Sequence, residues 1–211
     1  MHRKKGDFDM YTVRFQLELS GSEKRFLSKS FFYANQMHNQ LVRYATNRLN
    51  ALFHDTEYVG ARKAYGKAEF SKKKGSEKKK KKELSNIMCI KQKEYNLTKT
   101  FLCKFVSKEQ KKYKNYINSH QAQAEAEAVY KGVEKVLFED GRHLHYRRYN
   151  SFDCIKQKCA ATGVRILRWD TICFMKHYFK VRIPEDEYIQ NIISSVDLKE
   201  DVVYSFLKRI E

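Results

Sequence analysis

Tyr11-Thr12-Val13-Arg14-Phe15-Gln16-Leu17-Glu18-Leu19-Ser20-Gly21-Ser22-Glu23 carries the plan of the whole chain. From Tyr11 to Leu19 apolar and polar residues alternate, the period of a strand with one buried face. At Ser20 the period breaks. Ser20 and Glu23 form a capping-box pair, in which the Ser20 side chain accepts from the Glu23 amide and Glu23 reaches back. A long helix is predicted to follow, because Phe26, Ala34, Met37, Leu41, Ala45 and Leu52 recur at helical spacing.

Helical periodicity persists for more than a hundred residues, with interruptions. Gly60 to Gly66 reads as an irregular basic loop, and Lys72–Lys74 with Lys78–Lys82 as a mobile Lys-rich loop over 67–83, since dense like charges repel. Ser107-Lys108-Glu109-Gln110 reads as a second capping box, flanked by helical segments bearing Leu97, Phe101, Leu102, Phe105, Tyr113, Tyr116 and Ile117. A third helix is predicted from Ser119, through Ala122, Ala126, Val129, Val133 and Leu137, ending at Asp140-Gly141. Gly132 inside it costs about 1 kcal/mol against Ala. Either another backbone or a nucleic-acid strand approaches there, or the cost is tolerated.

Strand periods return at Val164 and Ile166, Ile172–Phe174, and Phe179, Val181 and Ile183. Pro184-Glu185-Asp186-Glu187 reads as a helix start with Tyr188, Ile189, Ile192, Ile193 and Val196 on its buried face, and Val203–Ile210 as a final amphipathic stretch. A first strand separated from its partners by a long helical stretch implies an α+β fold, a helical bundle inserted into a small barrel or sheet.

The chain has 211 residues, 43 Lys and Arg against 25 Asp and Glu, and a formal net charge of +18. Such an excess seeks polyanions, because each cation that neutralises a phosphate releases counterions. No apolar run approaches a spanning helix and no secretory leader is visible, so a cytoplasmic protein without a membrane partner is expected. Five unpatterned cysteines make a disulfide framework an unexpected feature.

His143-Leu144-His145 places two imidazoles on one side of an extended segment, the metal-binding arrangement of nucleases that nick single strands through a tyrosine, for which Tyr188 is the candidate nucleophile. The flanking Arg142, Arg147 and Arg148 favour phosphate contact instead. A metal site from His143, His145, Cys154 and Cys159 is the other option, with the cysteine spacing at the upper limit for zinc. Carboxylates do not cluster for two-metal chemistry, and no glycine-rich phosphate loop is present in the sequence. Tyr65, Phe70, Tyr95, Tyr113, Tyr116, Tyr146, Tyr149 and Tyr178 stand near Lys or Arg, the company kept by base-stacking aromatics.

Three stretches carry a family resemblance: the strand Tyr11–Leu19; Tyr33-Ala34-Asn35-Gln36-Met37; and Tyr116-Ile117-Asn118-Ser119-His120-Gln121-Ala122-Gln123. So do Val129 to Phe138, His145-Tyr146, Ser151-Phe152 and Gly163-Val164-Arg165. Together they resemble the N-terminal half of TnpB-type proteins, transposon-encoded RNA-guided DNA endonucleases related to type V CRISPR effectors. The resemblance implies an OB-like β-barrel, or wedge, over 1–20 and 140–211, with a helical recognition domain over 21–139 inserted after its first strand. It implies guide or structured RNA and double-stranded, target-flanking DNA as partners in a prokaryotic cytosol.

In that family a RuvC-like domain cuts DNA with Mg²⁺ held by three carboxylates. None of the three falls within these residues, so the expectation is a chain that is no enzyme on its own, has no catalytic residue, metal site or cofactor, and is either truncated or served by a separate nuclease-domain polypeptide. The nucleic-acid-binding residues expected are Lys72, Lys73, Lys74, Lys78, Lys79 and Lys80 in the lysine tract, and Asn118, Gln121 and Gln123 for adenine edges. Arg142, His143, His145, Arg147 and Arg148 complete the set.

Overall fold

The computed structural model describes residues 14–69, 76–149, 154–156, 163–195 and 207–208. Of the predicted strand, Tyr11–Val13 lie outside the described residues; in the rest, β1 spans Gln16–Glu18 and the alternation holds, with Phe15, Leu17 and Leu19 half-buried while Gln16 and Glu18 are exposed. The capping box at its end forms as read. The Ser20 hydroxyl accepts from the Glu23 amide, and the Glu23 carboxylate accepts from the Ser20 amide at 2.7 Å.

Helix α1 (Gly21–His54) follows and rises about 50 Å. Leu27, Phe31, Ala34, His38, Leu41 and Ala45 are buried along it at alternating four- and three-residue steps, so one stripe faces inward over its length. Against α1 pack α2 (Thr56–Glu69), α4 (Lys99–Gln110) and α5 (Ser119–Phe138), while α3 (Ser76–Glu94) pairs with α2.

Three local segments differ from expectation. Gly60–Gly66 is not a loop but part of α2, because Tyr58 and Ala61 bury one face, and Asp55 caps the helix by accepting from the Tyr58 amide at 2.9 Å. Asp55 also takes the Tyr95 hydroxyl (3.1 Å) and Lys91 (3.4 Å), tying α3 back to the α1–α2 joint. The Tyr58 amide, first among these donors, holds the Asp55 carboxyl below its ordinary range. Ser107 lies inside α4, its hydroxyl donating to the Cys103 carbonyl, so the second capping box is absent; the box sits instead at Asn118 and Gln121. The lysine tract is likewise helical from Ser76 onward, and Lys72–Lys74 lie outside the described residues.

After α5 the fold turns to strands, and it is α+β as expected. β3 (Arg165–Arg168), β4 (Thr171–Phe174) and β5 (His177–Arg182) form an antiparallel meander. β1 completes the sheet by pairing Leu17 with Val181, giving the order β1-β5-β4-β3. Helices α1 to α5 are thus inserted between two neighbouring strands of one sheet. Among the described residues no sheet closes into a barrel; β2 (Cys154–Ile155) and β6 (Leu207–Lys208) form a separate pair, so the described part of the final amphipathic stretch is strand.

Helix α6 (Glu187–Ser195) starts after Pro184 and is capped by Asp186, which accepts from the Ile189 amide at 3.1 Å. Its expected burial does not occur. Tyr188 is 60% exposed, Ile189, Ile192 and Ile193 are half-buried, and Val196 lies outside the described residues.

Sheet and helices share one core. Phe174 and Phe179 are fully buried, and Phe26 from α1 meets His177, Phe174 and Phe179 with ring centroids 3.9, 6.2 and 6.4 Å away. The β4–β5 hairpin turns through Met175 and Lys176, at φ 51° and 65°. Both sit in the left-handed region that a two-residue hairpin requires, where non-glycine residues cost roughly 1–2 kcal/mol. Lys176→Gly is therefore expected to raise the unfolding free energy by about 1 kcal/mol in urea titration, with the slope unchanged.

Candidate nucleic-acid interface

The basic segment around the two histidines is a strap held down at three points. It begins where α5 stops. The amides of Glu139 and Gly141 both donate to the Lys135 carbonyl, at 3.0 and 3.1 Å. A Cβ at Gly141 would lie 2.8 Å from the Lys135 carbonyl carbon, so the chain turns there only with glycine. Residues 142–148 then run back along α5 and α1 without joining a β-ladder.

Leu144 is the first anchor. It is buried over Gly132, where a Cβ would come within 3.0 Å of its Cδ2 atom. The helix-interior glycine thus admits a side chain of this same chain. Asn39 is the second anchor, gripping Arg147 on both sides: its Nδ2 donates to the Arg147 carbonyl and its Oδ1 accepts from the Arg147 amide, each at 2.9 Å. Tyr149 is the third, its hydroxyl on the Ser28 carbonyl at 3.5 Å and its ring against Phe32.

Beneath the strap, α1 and α5 are joined by a buried side-chain hydrogen bond. His38 Nδ1 lies 2.9 Å from Glu125 Oε2, and both residues are about 95% buried, at 4% and 5% exposure. The Arg147 guanidinium reaches the same oxygen at 3.7 Å. Removing one partner leaves a buried polar group unsatisfied, a loss of about 1–3 kcal/mol.

These anchors decide what the strap shows to solvent. With Leu144 turned in, Arg142, His143, His145, Tyr146, Arg147 and Arg148 are exposed. The His143 and His145 rings lie 4.5 Å apart, on one side as their spacing implied. Among the described residues no three His, Cys, Asp or Glu side chains gather to hold a metal; Cys154 is in β2, and Cys159 lies outside the described residues.

The other expected contacts separate. Lys78, Lys79 and Lys80 are exposed on α3, and Lys81 lies over the Tyr65 ring at 5.7 Å. Lysine is a good helix former, and Leu84, Met88 and Gln92 supply an inward face, which is why the tract coils. Asn118 and Gln121 are engaged in the capping box of α5, Asn118 Oδ1 accepting from the Gln121 amide at 2.8 Å and Gln121 Oε1 from the Asn118 amide at 2.9 Å. Gln121 is 2% exposed, so it cannot reach a base edge. Gln123 is half-exposed and faces an open groove of about 570 Å³ between α4 and α5, shared with Lys99, Lys104, Lys108 and Lys111. Sequence reasoning missed this groove, although the steps of four and three residues from Lys104 to Lys108 to Lys111 are a helical-face signal.

The aromatics sort likewise. Tyr113 stacks on Tyr33 and Tyr116 packs against it tilted, with centroids 4.9 Å away in each case, so both serve packing, and Tyr95 is held by Asp55. Tyr146 and Tyr178 remain open to solvent, at 55% and 65%, and Phe70 lies outside the described residues.

Gly132→Val is expected to displace Leu144 and loosen the strap, costing about 1–3 kcal/mol. Faster exchange of the Arg147 amide in the variant would accompany that loss; an unchanged rate would mean the strap is held without Leu144.

No family model matches the chain, and neither a curated protein nor a solved structure shows significant similarity to it.

Proposed function

We propose that this chain is a nucleic-acid-binding scaffold of the TnpB type, which holds structured guide RNA and target-flanking duplex DNA and does not itself cut either. The observation that carries the proposal is the strap. Three arginines and two histidines are displayed on an extended segment whose backbone is fixed by Asn39 and Leu144, so little side-chain carrier has to be ordered when a polyanion arrives. Phosphate contact of this kind fixes orientation, while the exposed Tyr146 offers a ring for stacking.

On this reading β1 with β3, β4 and β5 is the wedge, the part of an OB-like barrel that frames the guide. Helices α1 to α5 are the recognition insertion. The carboxylates, Mg²⁺ and strand cleavage of a full effector belong to a RuvC-like unit, whether on the same polypeptide or another. Among the described residues no helix is long and apolar enough to cross a membrane.

Purified protein stripped of co-purifying RNA is expected to rebind that RNA with a steep salt dependence. Replacing Arg142, Arg147 and Arg148 by Ala is expected to reduce the log–log slope by about 2–3, since each phosphate contact contributes about 0.7–0.9. Sequencing the co-purified RNA should give one dominant species. A heterogeneous pool would instead support a general basic RNA- and DNA-binding protein, and divalent-metal-dependent DNA cleavage would overturn the non-catalytic assignment.

A further inference from the structure

The groove between α4 and α5 is a second cationic surface, remote in sequence from the strap and built differently. Lys104, Lys108 and Lys111 are exposed along one face of α4 and its short continuation. Lys99 is neutralised by Glu127 at 3.1 Å and Lys112 by Glu109 at 2.6 Å. Among the described residues Lys104, Lys108 and Lys111 have no acidic partner; the fold leaves these three charges in reserve.

Their spacing is informative. From Lys104 to Lys111 the helix rises about 10 Å. Phosphates of one strand of a double helix advance about 3.4 Å each along the axis, so the three lysines span about three phosphate steps. Opposite them, α5 supplies Gln123, whose amide can donate to a sugar or phosphate oxygen.

What the lining lacks is equally specific. Among the described residues, none of the side chains lining this groove is aromatic. Proteins that hold single strands set bases on aromatic rings, whereas backbone contacts alone suit a double helix whose bases are already stacked. We infer that the α4–α5 groove is a sequence-independent track for the phosphate backbone of a double-stranded nucleic acid. This rests on the nucleic-acid-binding reading above and extends it to a site of its own.

The groove carries its own reporter, since the half-buried Cys103 is among its lining residues. The test uses the full chain, a fluorescent RNA duplex of mixed sequence and a single-stranded poly-uridine of the same length. The triple variant Lys104→Gln, Lys108→Gln, Lys111→Gln keeps a polar, helix-compatible side chain and removes the charge; circular dichroism establishes that it is folded. Its duplex affinity is expected to fall on the order of 100-fold at 0.1 M salt, with a slope lower by about 2–3. Binding of poly-uridine should change far less.

Duplex should also slow maleimide alkylation of Cys103 in the wild type, read by mass spectrometry, and do so even when the strap arginines are replaced. Wild-type duplex affinity in the triple variant, or equal losses for both probes, would overturn the inference. If strap variants lose binding while the lysine variant does not, only the groove assignment fails. If the wild type binds neither probe, both readings fail.

Discussion

Burial of one stripe along α1 is the constraint from which the remaining structure follows. Leu27, Phe31, Ala34, Leu41, Ala45, Leu49 and Leu52 are almost wholly removed from water, and α2, α4 and α5 take their positions by covering them. Truncating one such leucine to alanine costs about 2–5 kcal/mol, a large share of a typical domain's stability. The same helix reaches the sheet at its start through Phe26, and the strap midway through Asn39. Sheet, bundle and basic strap are therefore oriented by one rigid element, and cations far apart in sequence share a fixed frame.

The polar part of the α1–α5 contact serves a different purpose. His38 and Glu125 would be no more stabilising than two well-packed apolar residues, since burying polar groups gives up hydration that their hydrogen bond replaces. What the pair adds is an acceptor beneath the strap. Glu125 attracts Arg147 from below while Asn39 holds its backbone, so one arginine is tethered at both ends and its neighbours face outward. A surface built this way presents its cations from a fixed backbone, so fewer groups would have to be ordered on binding.

The legible parts of the fold were those with local causes. The alternation around Leu17, the Ser20–Glu23 capping box and the glycine stop at Gly141 each depend on residues a few positions apart, and the structure has all of them. The α2 helix was hidden because Gly60 and Gly66 signal a loop, while the burial of Tyr58 and Ala61 that outweighs them is tertiary. Asn118 and Gln121 were ambiguous by nature: side chains able to read adenine can equally well cap a helix, and here they cap one. Gly132 was visible as an anomaly, but its partner Leu144 arrives from beyond the helix end. The lysine groove needed two helices brought together, which no single stretch of sequence displays.

Contact between the pinned strap and nucleic acid can be read by photocrosslinking. Structured RNA carrying 4-thiouridine, bound to the intact chain and irradiated, reports which side chains lie against its bases. Adducts at His143, His145 and Tyr146, the exposed rings of the strap, are the expected result. Adducts confined to α6 and the β3 edge, with the strap unmodified, would contradict it.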